Sequence, residues 1–128
     1  MSTDTTASVS THILDTSIGR PAGGVTVSLA ARGGGAEYVT LGASATDADG
    51  RCKDLPALPA GTTHVRLVFD TGSYFSRKQA EAQQDAPRVR DSGAFFPEVA
   101  IAFAVEPGEH YHVPLLLNPF GYSVYRGS

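Results

Sequence analysis

The sequence has one cysteine and no long apolar run, and each shortage argues against a class of protein. Cys52 has no second cysteine for an internal disulfide and lacks the further ligands of a structural zinc site. We therefore expect a reducing, cytoplasmic compartment. No segment approaches the roughly 18 consecutive apolar residues of a membrane span. Residues 1–6 are polar and lack the basic and apolar parts of a signal peptide, so we expect no membrane association.

Positive charge is also scarce. Ten Lys and Arg stand against 13 Asp and Glu, a net charge of −3, and no basic run could follow a phosphate backbone. We therefore expect no nucleic-acid partner. The chain is nevertheless 128 residues long and 41% hydrophobic, which is enough for one domain with a buried core. We expect residues 1–7 to form a flexible N-terminal extension and residues 8–128 to form that domain.

Glycine and proline are frequent instead. The 14 Gly and 8 Pro interrupt the chain too often for long helices and favour short strands joined by turns. About seven or eight segments, such as 25–29 and 63–69, are typical of strands. Only residues 73–84 have the composition of a helix, with Ser73 as a candidate N-cap, and Pro114 predicts an edge position or a bulge. The pattern predicts an all-β sandwich with one short helix.

Two motifs resemble ligand-binding loops but lack a required part. Residues 47–50 have the acidic spacing of a calcium loop, yet Leu58 stands at the twelfth position, where a bidentate Glu is needed. We interpret 47–50 as a tight turn in which Gly50 adopts a positive φ, so that a strand begins at Arg51. The glycines 33–35 are not followed by a helical pattern and predict a hairpin tip.

The histidines are the strongest candidates for chemistry. His110 and His112 are two residues apart, so both project from one face of a strand. They form either a polar patch or part of a site that holds a proton or a metal. His12 lies in a β-branched segment, where a buried imidazole needs a partner. His64 lies in a plain alternating segment, and we interpret it as structural or solvated.

Two further features bring polar groups to defined places. Arg51 follows a tight turn, from which a long cationic side chain is either aimed into a site or solvated at a strand end. The last four residues supply a phenol, a guanidinium, a hydroxyl and the α-carboxylate, where a frayed tail would normally be tolerated. Cys52, beside a strand, is interpreted as a small buried residue.

These segments together resemble the 5-hydroxyisourate hydrolases, the transthyretin-related enzymes of urate breakdown. The resemblance is carried by 11–15, 46–51, 110–117 and the C-terminal Tyr125, Arg126, Gly127 and Ser128. Hormone-carrying transthyretins lack this tail and these site residues, so the resemblance favours the hydrolase. The sequence departs from the family pattern in Val124, where a Thr is expected, in Asn118, where a Ser is common, and in a long segment 79–93.

The resemblance implies a transthyretin-like sandwich of two four-stranded sheets with one short helix. It further implies a homotetramer, a dimer of dimers whose clefts lie between dimers. His12, Arg51 and His112 would be catalytic, and Tyr125, Arg126, Gly127 and Ser128 would bind the substrate; the role of His110 stays open. The implied reaction opens a cyclic amide of 5-hydroxyisourate to give 2-oxo-4-hydroxy-4-carboxy-5-ureidoimidazoline, with no cofactor and no metal.

Two alternatives remain open from the residues alone. His12, His110 and His112 could be three ligands of a zinc hydrolase that leaves one position for water. The same fold could also carry a small molecule without chemistry. Retention of a planar ligand without turnover would indicate such a carrier.

Overall fold

The computed structural model describes residues 6–82 and 94–127, which form two β-sheets and one helix. The first five residues of the expected extension, residues 83–93 of the long segment, and Ser128 lie outside this range. Ala7, by contrast, is buried in the core. The strands are β1 Ser8–Asp15, β2 Arg20–Pro21, β3 Thr26–Arg32, β4 Val39–Ala45, β5 Arg51–Cys52, β6 His64–Phe69, β7 Val99–Ala104, β8 His110–Asn118 and β9 Gly121–Val124, and the helix is α1 Thr71–Ala82.

The predicted two-sheet sandwich is confirmed, with one additional strand. The second sheet has four strands in the order β4-β3-β6-β7, whereas the first has five, in the order β2-β1-β8-β9 with β5 also on β1. The additional strand arises because two short strands, β2 and β5, pair with successive parts of β1. Leu14 pairs with Pro21 on β2, and His12 pairs with Arg51 on β5.

The centre of the first sheet joins the two ends of the sequence. β1 and β8 run parallel, in a continuous register from Ser8 opposite His110 to Asp15 opposite Leu117. Parallel strands need a long crossover, and here the whole second sheet lies between them in sequence. Side chains from the beginning and the end of the chain therefore share one surface.

Alternation along β1 and β8 separates a buried face from an outer face. Ile13 and Leu115 are fully buried between the sheets, and such burial stabilises a fold by about 1.5–3 kcal/mol for each large aliphatic side chain. Since neighbouring side chains point to opposite faces, the outer face receives Ser10, His12 and His112. The core thus fixes which side of the sheet carries the polar residues.

The helix begins two residues earlier than predicted, and Ser73 is not its N-cap. The Asp70 carboxylate accepts hydrogen bonds from the Ser73 backbone N–H at 3.1 Å and from its hydroxyl at 2.8 Å. Asp70 is therefore the cap, and Ser73 is the third helical residue, whose N–H such a cap satisfies. Within the described residues, no helix is both long and apolar enough to cross a membrane.

Pro114 lies in a central strand, so the predicted edge position is wrong, and its pairing with β1 is in register without a bulge. The carbonyls of His112 and Pro114 accept hydrogen bonds from Gly127 and Tyr125, so this side of β8 faces the C-terminal segment. β9 ends at Val124. Beyond it, Tyr125 still donates to the Pro114 carbonyl and Gly127 forms an isolated antiparallel bridge with His112. The missing N–H of Pro114 faces this segment, so regular pairing of β9 with β8 stops where Pro114 offers no donor.

Candidate active site

Strand register brings His12, Arg51 and His112 to one face of the first sheet. His12 lies between Arg51 on β5 and Pro114 on β8, and Ser10 lies opposite His112. Paired residues of neighbouring strands have Cβ atoms about 4.5–5.5 Å apart, and diagonal neighbours are within reach of long side chains. Three groups that are distant in sequence are thereby neighbours.

An open cleft of about 290 Å³ lies over this face. It is lined by Ser10, Thr11, Arg51, Lys53, His110 and His112. Cations and imidazoles dominate the lining, which suits a polar, electron-rich ring and negative charge that develops on it. Lys53 was not predicted as part of this surface, although it follows Arg51 at a spacing of two.

The His12 ring is oriented by the turn that precedes Arg51. Its Nε2 lies 3.0 Å from the backbone carbonyl oxygen of Asp49. A carbonyl can only accept a hydrogen bond, so Nε2 carries the proton and, in the neutral ring, Nδ1 carries the lone pair. His12 is therefore held in one tautomer by the main chain.

The same turn fixes the start of β5. The Asp47 carboxylate accepts the backbone N–H groups of Asp49 at 2.9 Å and Arg51 at 3.0 Å. The hydrogen bond from the Arg51 backbone is the main cause that lowers the pKa of Asp47 below its ordinary value. Gly50 has φ +77°, as predicted, and a Cβ there would collide with the Ile13 carbonyl. One turn therefore positions both Arg51 and the acceptor for His12.

His112 belongs to a row of hydrogen-bonded side chains on the outer face. Its Nδ1 lies 2.9 Å from the Ser10 hydroxyl oxygen, which also lies 2.9 Å from Nε2 of His110. Nδ1 of His110 in turn lies 2.6 Å from the Ser8 hydroxyl. Neither serine was predicted from the sequence, although the alternation of Ser8, Ser10 and His12 places all three on one face.

Burial lowers the pKa of His112 below its ordinary value, and electrostatic interactions with His12, Arg51 and His110 lower it further. The ring is therefore neutral at neutral pH and able to accept a proton. That is the state a general base requires.

The C-terminal segment contributes its backbone to the site. The Gly127 N–H donates to the His112 carbonyl at 2.8 Å. A Cβ on Gly127 would lie 3.0 Å from Cδ2 of His112 and 3.1 Å from Cγ of Pro114. Gly127 therefore packs directly against the catalytic candidate, and the lack of a side chain permits this approach.

The side chains of Tyr125 and Arg126 are not brought to the cleft within one chain. The Arg126 guanidinium lies 4.5 Å from the centre of the Tyr111 ring and 3.1 Å from the Glu109 carboxylate. Both side chains line a separate depression with Ile101 at the open edge of the sandwich. Ser128, the remaining predicted binding residue, lies outside the described residues.

The remaining candidate residues do not line the cleft. His64 is on β6 of the second sheet, with Nδ1 near the Thr63 hydroxyl. Cys52 is buried, as predicted. Val124 pairs with Leu115 and packs on the core, so this departure from the family pattern does not alter the cleft.

The described part of the chain does not form the three-histidine zinc site. Across residues 6–82 and 94–127, no three His, Cys, Asp or Glu side chains are grouped closely enough to hold a metal ion. Both nitrogens of His110 contact serine hydroxyls, and Nε2 of His12 faces the Asp49 carbonyl.

The fold and the outer face together define a transthyretin-like sandwich with a cleft of imidazoles and cations. Residues 9–127 match the HIUase/Transthyretin family. The chain belongs to this family. Curated relatives include 5-hydroxyisourate hydrolases from Salmonella dublin, 41% identical over 94% of this chain and 80% of the relative, and from Mesorhizobium japonicum, 40% identical over 94% and 91%.

Solved structures show the same likeness. The 5-hydroxyisourate hydrolase of Klebsiella pneumoniae superposes with a TM-score of 0.67 at 38% identity, covering 95% of this chain and 94% of that one. Transthyretin from Sparus aurata superposes with a TM-score of 0.73 at 27% identity, covering 93% and 95%. The predicted fold class is therefore confirmed.

Proposed function

We propose that this protein hydrolyses 5-hydroxyisourate to 2-oxo-4-hydroxy-4-carboxy-5-ureidoimidazoline in the breakdown of urate. The observation that carries the proposal is the register of the first sheet, which pairs His12 with Arg51 and sets His112 beside them. The hydrolase relatives, about 40% identical over most of the chain, support the substrate.

In the proposed reaction His112 takes a proton from water through Nε2, because Nδ1 is occupied by Ser10. The hydroxide attacks the carbonyl carbon of the cyclic amide, and the carbonyl oxygen becomes an oxyanion. The bond from that carbon to the ring nitrogen then breaks, and the nitrogen receives the proton from the imidazolium. The ring opens to a carboxylic acid, which releases its proton to solvent and becomes the carboxylate, and no covalent enzyme intermediate forms.

Arg51 and His12 assist this sequence. The Arg51 guanidinium is permanently charged and has a planar array of donors, which suits it to bind the ring and stabilise the oxyanion. His12 is the second proton carrier, with its ring held by the Asp49 carbonyl. General base catalysis contributes about 10²–10⁴-fold, and a preorganised oxyanion donor contributes about 10²–10³-fold.

We also propose a homotetramer, a dimer of dimers, in which a second subunit closes each cleft and the segment from Tyr125 to Ser128 shapes the pocket. The openness of the cleft in one chain supports this arrangement. So does an exposed aromatic cluster beside β9, an end strand of the first sheet, in which Phe95, 71% exposed, contacts Phe96, and Phe96 contacts Tyr122. Such patches mark contact surfaces.

The proposed location is the cytoplasm. It is supported by the free, buried Cys52, which has no second cysteine in the sequence for a disulfide.

The deciding experiment gives freshly prepared 5-hydroxyisourate to the purified protein and follows its decay against the spontaneous rate. Arg51→Ala and His112→Ala are each expected to lower turnover at least about tenfold with the fold intact. His64→Ala, the same type of substitution on the other sheet, is expected to be nearly silent. Near-native rates in both site variants would reject the assignment, and tight binding without turnover in the unmodified protein would indicate a carrier.

A further inference from the structure

Four side chains form a continuous hydrogen-bonded row across β1 and β8. In order they are Ser8, His110, Ser10 and His112, joined at 2.6, 2.9 and 2.9 Å. Ser8 and His110, at one end, are exposed, whereas Ser10 is only 9% exposed. The row ends at the imidazole that activates water in the proposed function, on which this inference rests.

Counting protons limits the row to two arrangements. The Ser10 hydroxyl has one proton, and its described side-chain partners are two ring nitrogens. Because this hydroxyl is almost buried, its proton goes to one ring and its oxygen accepts from the other. If it donates to His112, the proton of the neutral His112 ring lies on Nε2, and that nitrogen cannot take a proton from water. If it donates to His110, the His112 proton lies on Nδ1 and the lone pair lies on Nε2.

The charges of the cleft favour the second arrangement. Arg51 and Lys53 line the same cleft as His112. A lone pair is the negative end of the imidazole dipole, and an N–H is the positive end, so cations nearby stabilise the ring with its lone pair toward them. His110 completes the arrangement, because its Nδ1–H then donates to the Ser8 hydroxyl.

We propose that Ser10 is a positioning residue whose hydroxyl donates to Nε2 of His110 and accepts the Nδ1–H of His112, which keeps the His112 lone pair on Nε2. The same contact serves the next step. When Nε2 receives the proton from water, the imidazolium still donates through Nδ1 to an oxygen already placed to accept. No reorganisation is needed as the charge develops.

The first test reads the tautomer without substrate. Nitrogen NMR of the full chain with ¹⁵N-labelled histidine distinguishes protonated from unprotonated ring nitrogens, and the His112→Gln variant assigns the His112 signals. At a pH where the ring is neutral, we expect a protonated Nδ1 and an unprotonated Nε2. A proton on Nε2 in the unmodified protein would overturn the proposal, whatever the substrate of the enzyme.

The second test changes the two middle members of the row. Ser10→Ala removes the acceptor, and His110→Ala frees the Ser10 proton to bind Nδ1 of His112. In both variants we expect the Nε2–H tautomer of His112 to increase and kcat to fall about tenfold or more, with little change in KM. Ser10→Thr retains the hydroxyl and is expected to restore both readouts.

Ser28→Ala is the matched control, since Ser28 lies on β3 of the second sheet. Thermal unfolding checks that each variant is folded. Unchanged tautomer signals and kcat in folded Ser10→Ala would overturn the positioning role. A protein with the expected tautomer but no hydrolysis of 5-hydroxyisourate would instead reject the proposed function and leave the assignment of Ser10 standing.

Discussion

His12 stands opposite Arg51 in the antiparallel register of β1 and β5, and its ring is held by the turn that leads into Arg51. The proposed proton carrier and the proposed oxyanion donor are therefore oriented by one short segment. Asp47 joins them, because its carboxylate accepts the backbone N–H groups of Asp49 and Arg51.

Asp47→Ala is therefore expected to lower kcat by about tenfold, since Arg51 and the acceptor of His12 lose their shared anchor. The measurement is steady-state hydrolysis together with thermal unfolding. Asp54→Ala, which removes an exposed carboxylate shortly after β5, is the control for the change in net charge. Equal activity of the two variants would show that the turn holds its shape without Asp47.

The pH dependence of the reaction follows from the lowered pKa of His112. A base with a pKa below the ordinary 6.5 stays unprotonated as the pH falls through that value, so the acid limb of kcat/KM is expected below pH 6.5. Removing a nearby positive charge weakens the shift. In Arg51→Gln the acid limb and the NMR titration of His112 are expected at higher pH, and an unchanged midpoint would contradict the described electrostatics.

The same shift predicts the direction of a stability change. Below about pH 6.5 the unfolded chain binds a proton at this histidine more readily than the folded chain does, so the unfolded state gains protons first. The contribution of His112 to stability is therefore complete above that pH and is lost as the pH falls toward the folded pKa. Chemical denaturation of wild type and His112→Gln between about pH 7 and 5 measures this, and the variant is expected to show the weaker pH dependence.

Gly127→Ala is expected to lower turnover by about tenfold with little effect on the melting temperature. The added methyl would lie 3.0 Å from the His112 ring, so either the ring or the tail must move. Gly121→Ala is a matched control, because a Cβ there meets nothing within 4 Å. Identical rates for both variants would show that the tail adapts without disturbing His112.

Deletion of Arg126, Gly127 and Ser128 tests the tail as a whole. The exposed ion pair between Arg126 and Glu109 contributes little to stability, whereas Gly127 contacts the strand that bears His112. We expect a larger loss of activity than of melting temperature. The opposite result would make the segment structural.

Tyr74→Phe tests the link between the helix and the first sheet. The buried Tyr74 hydroxyl donates to the Asp15 carboxylate at 2.7 Å, and burial, followed by this hydrogen bond, raises the pKa of Tyr74. We expect a loss of about 1.5–3 kcal/mol in the free energy of unfolding, typical of a hydrogen bond to a charged group. Tyr38→Phe, at the residue just before β4, is the control and is expected to stay within about 0.5 kcal/mol.

Local patterns were enough to predict where several residues of the candidate site lie. Alternation placed His110 and His112 on one face, and the tight turn at Gly50 placed Arg51 at the start of a strand. These inferences depend only on residues that are close in sequence. The strand pattern likewise predicted the sandwich, because period-two alternation reports which face is buried.

Features that depend on distant partners were missed. Ser10 precedes His112 by 102 residues in the sequence. The two become neighbours only because β1 lies in register with β8. Pro114 suggested an edge strand because proline cannot donate a hydrogen bond within a sheet. The sequence does not reveal which segment lies beside Pro114 on that side of β8. At the helix start, Asp70 and Ser73 are both favourable N-cap residues, and the helix begins at Thr71, directly after Asp70, whose carboxylate accepts the Ser73 N–H.

The parallel pairing of β1 with β8 also determines when the first sheet can form during synthesis. A ribosome-bound chain that has released β1 to β7 has all four strands of the second sheet, but the first sheet still lacks β8, one of its two inner strands. Until β8 emerges, β1 keeps an unpaired edge and an apolar face, the kind of surface that promotes aggregation or binds chaperones. The time between the release of β1 and the release of β8 therefore sets how long this edge waits for its partner strand.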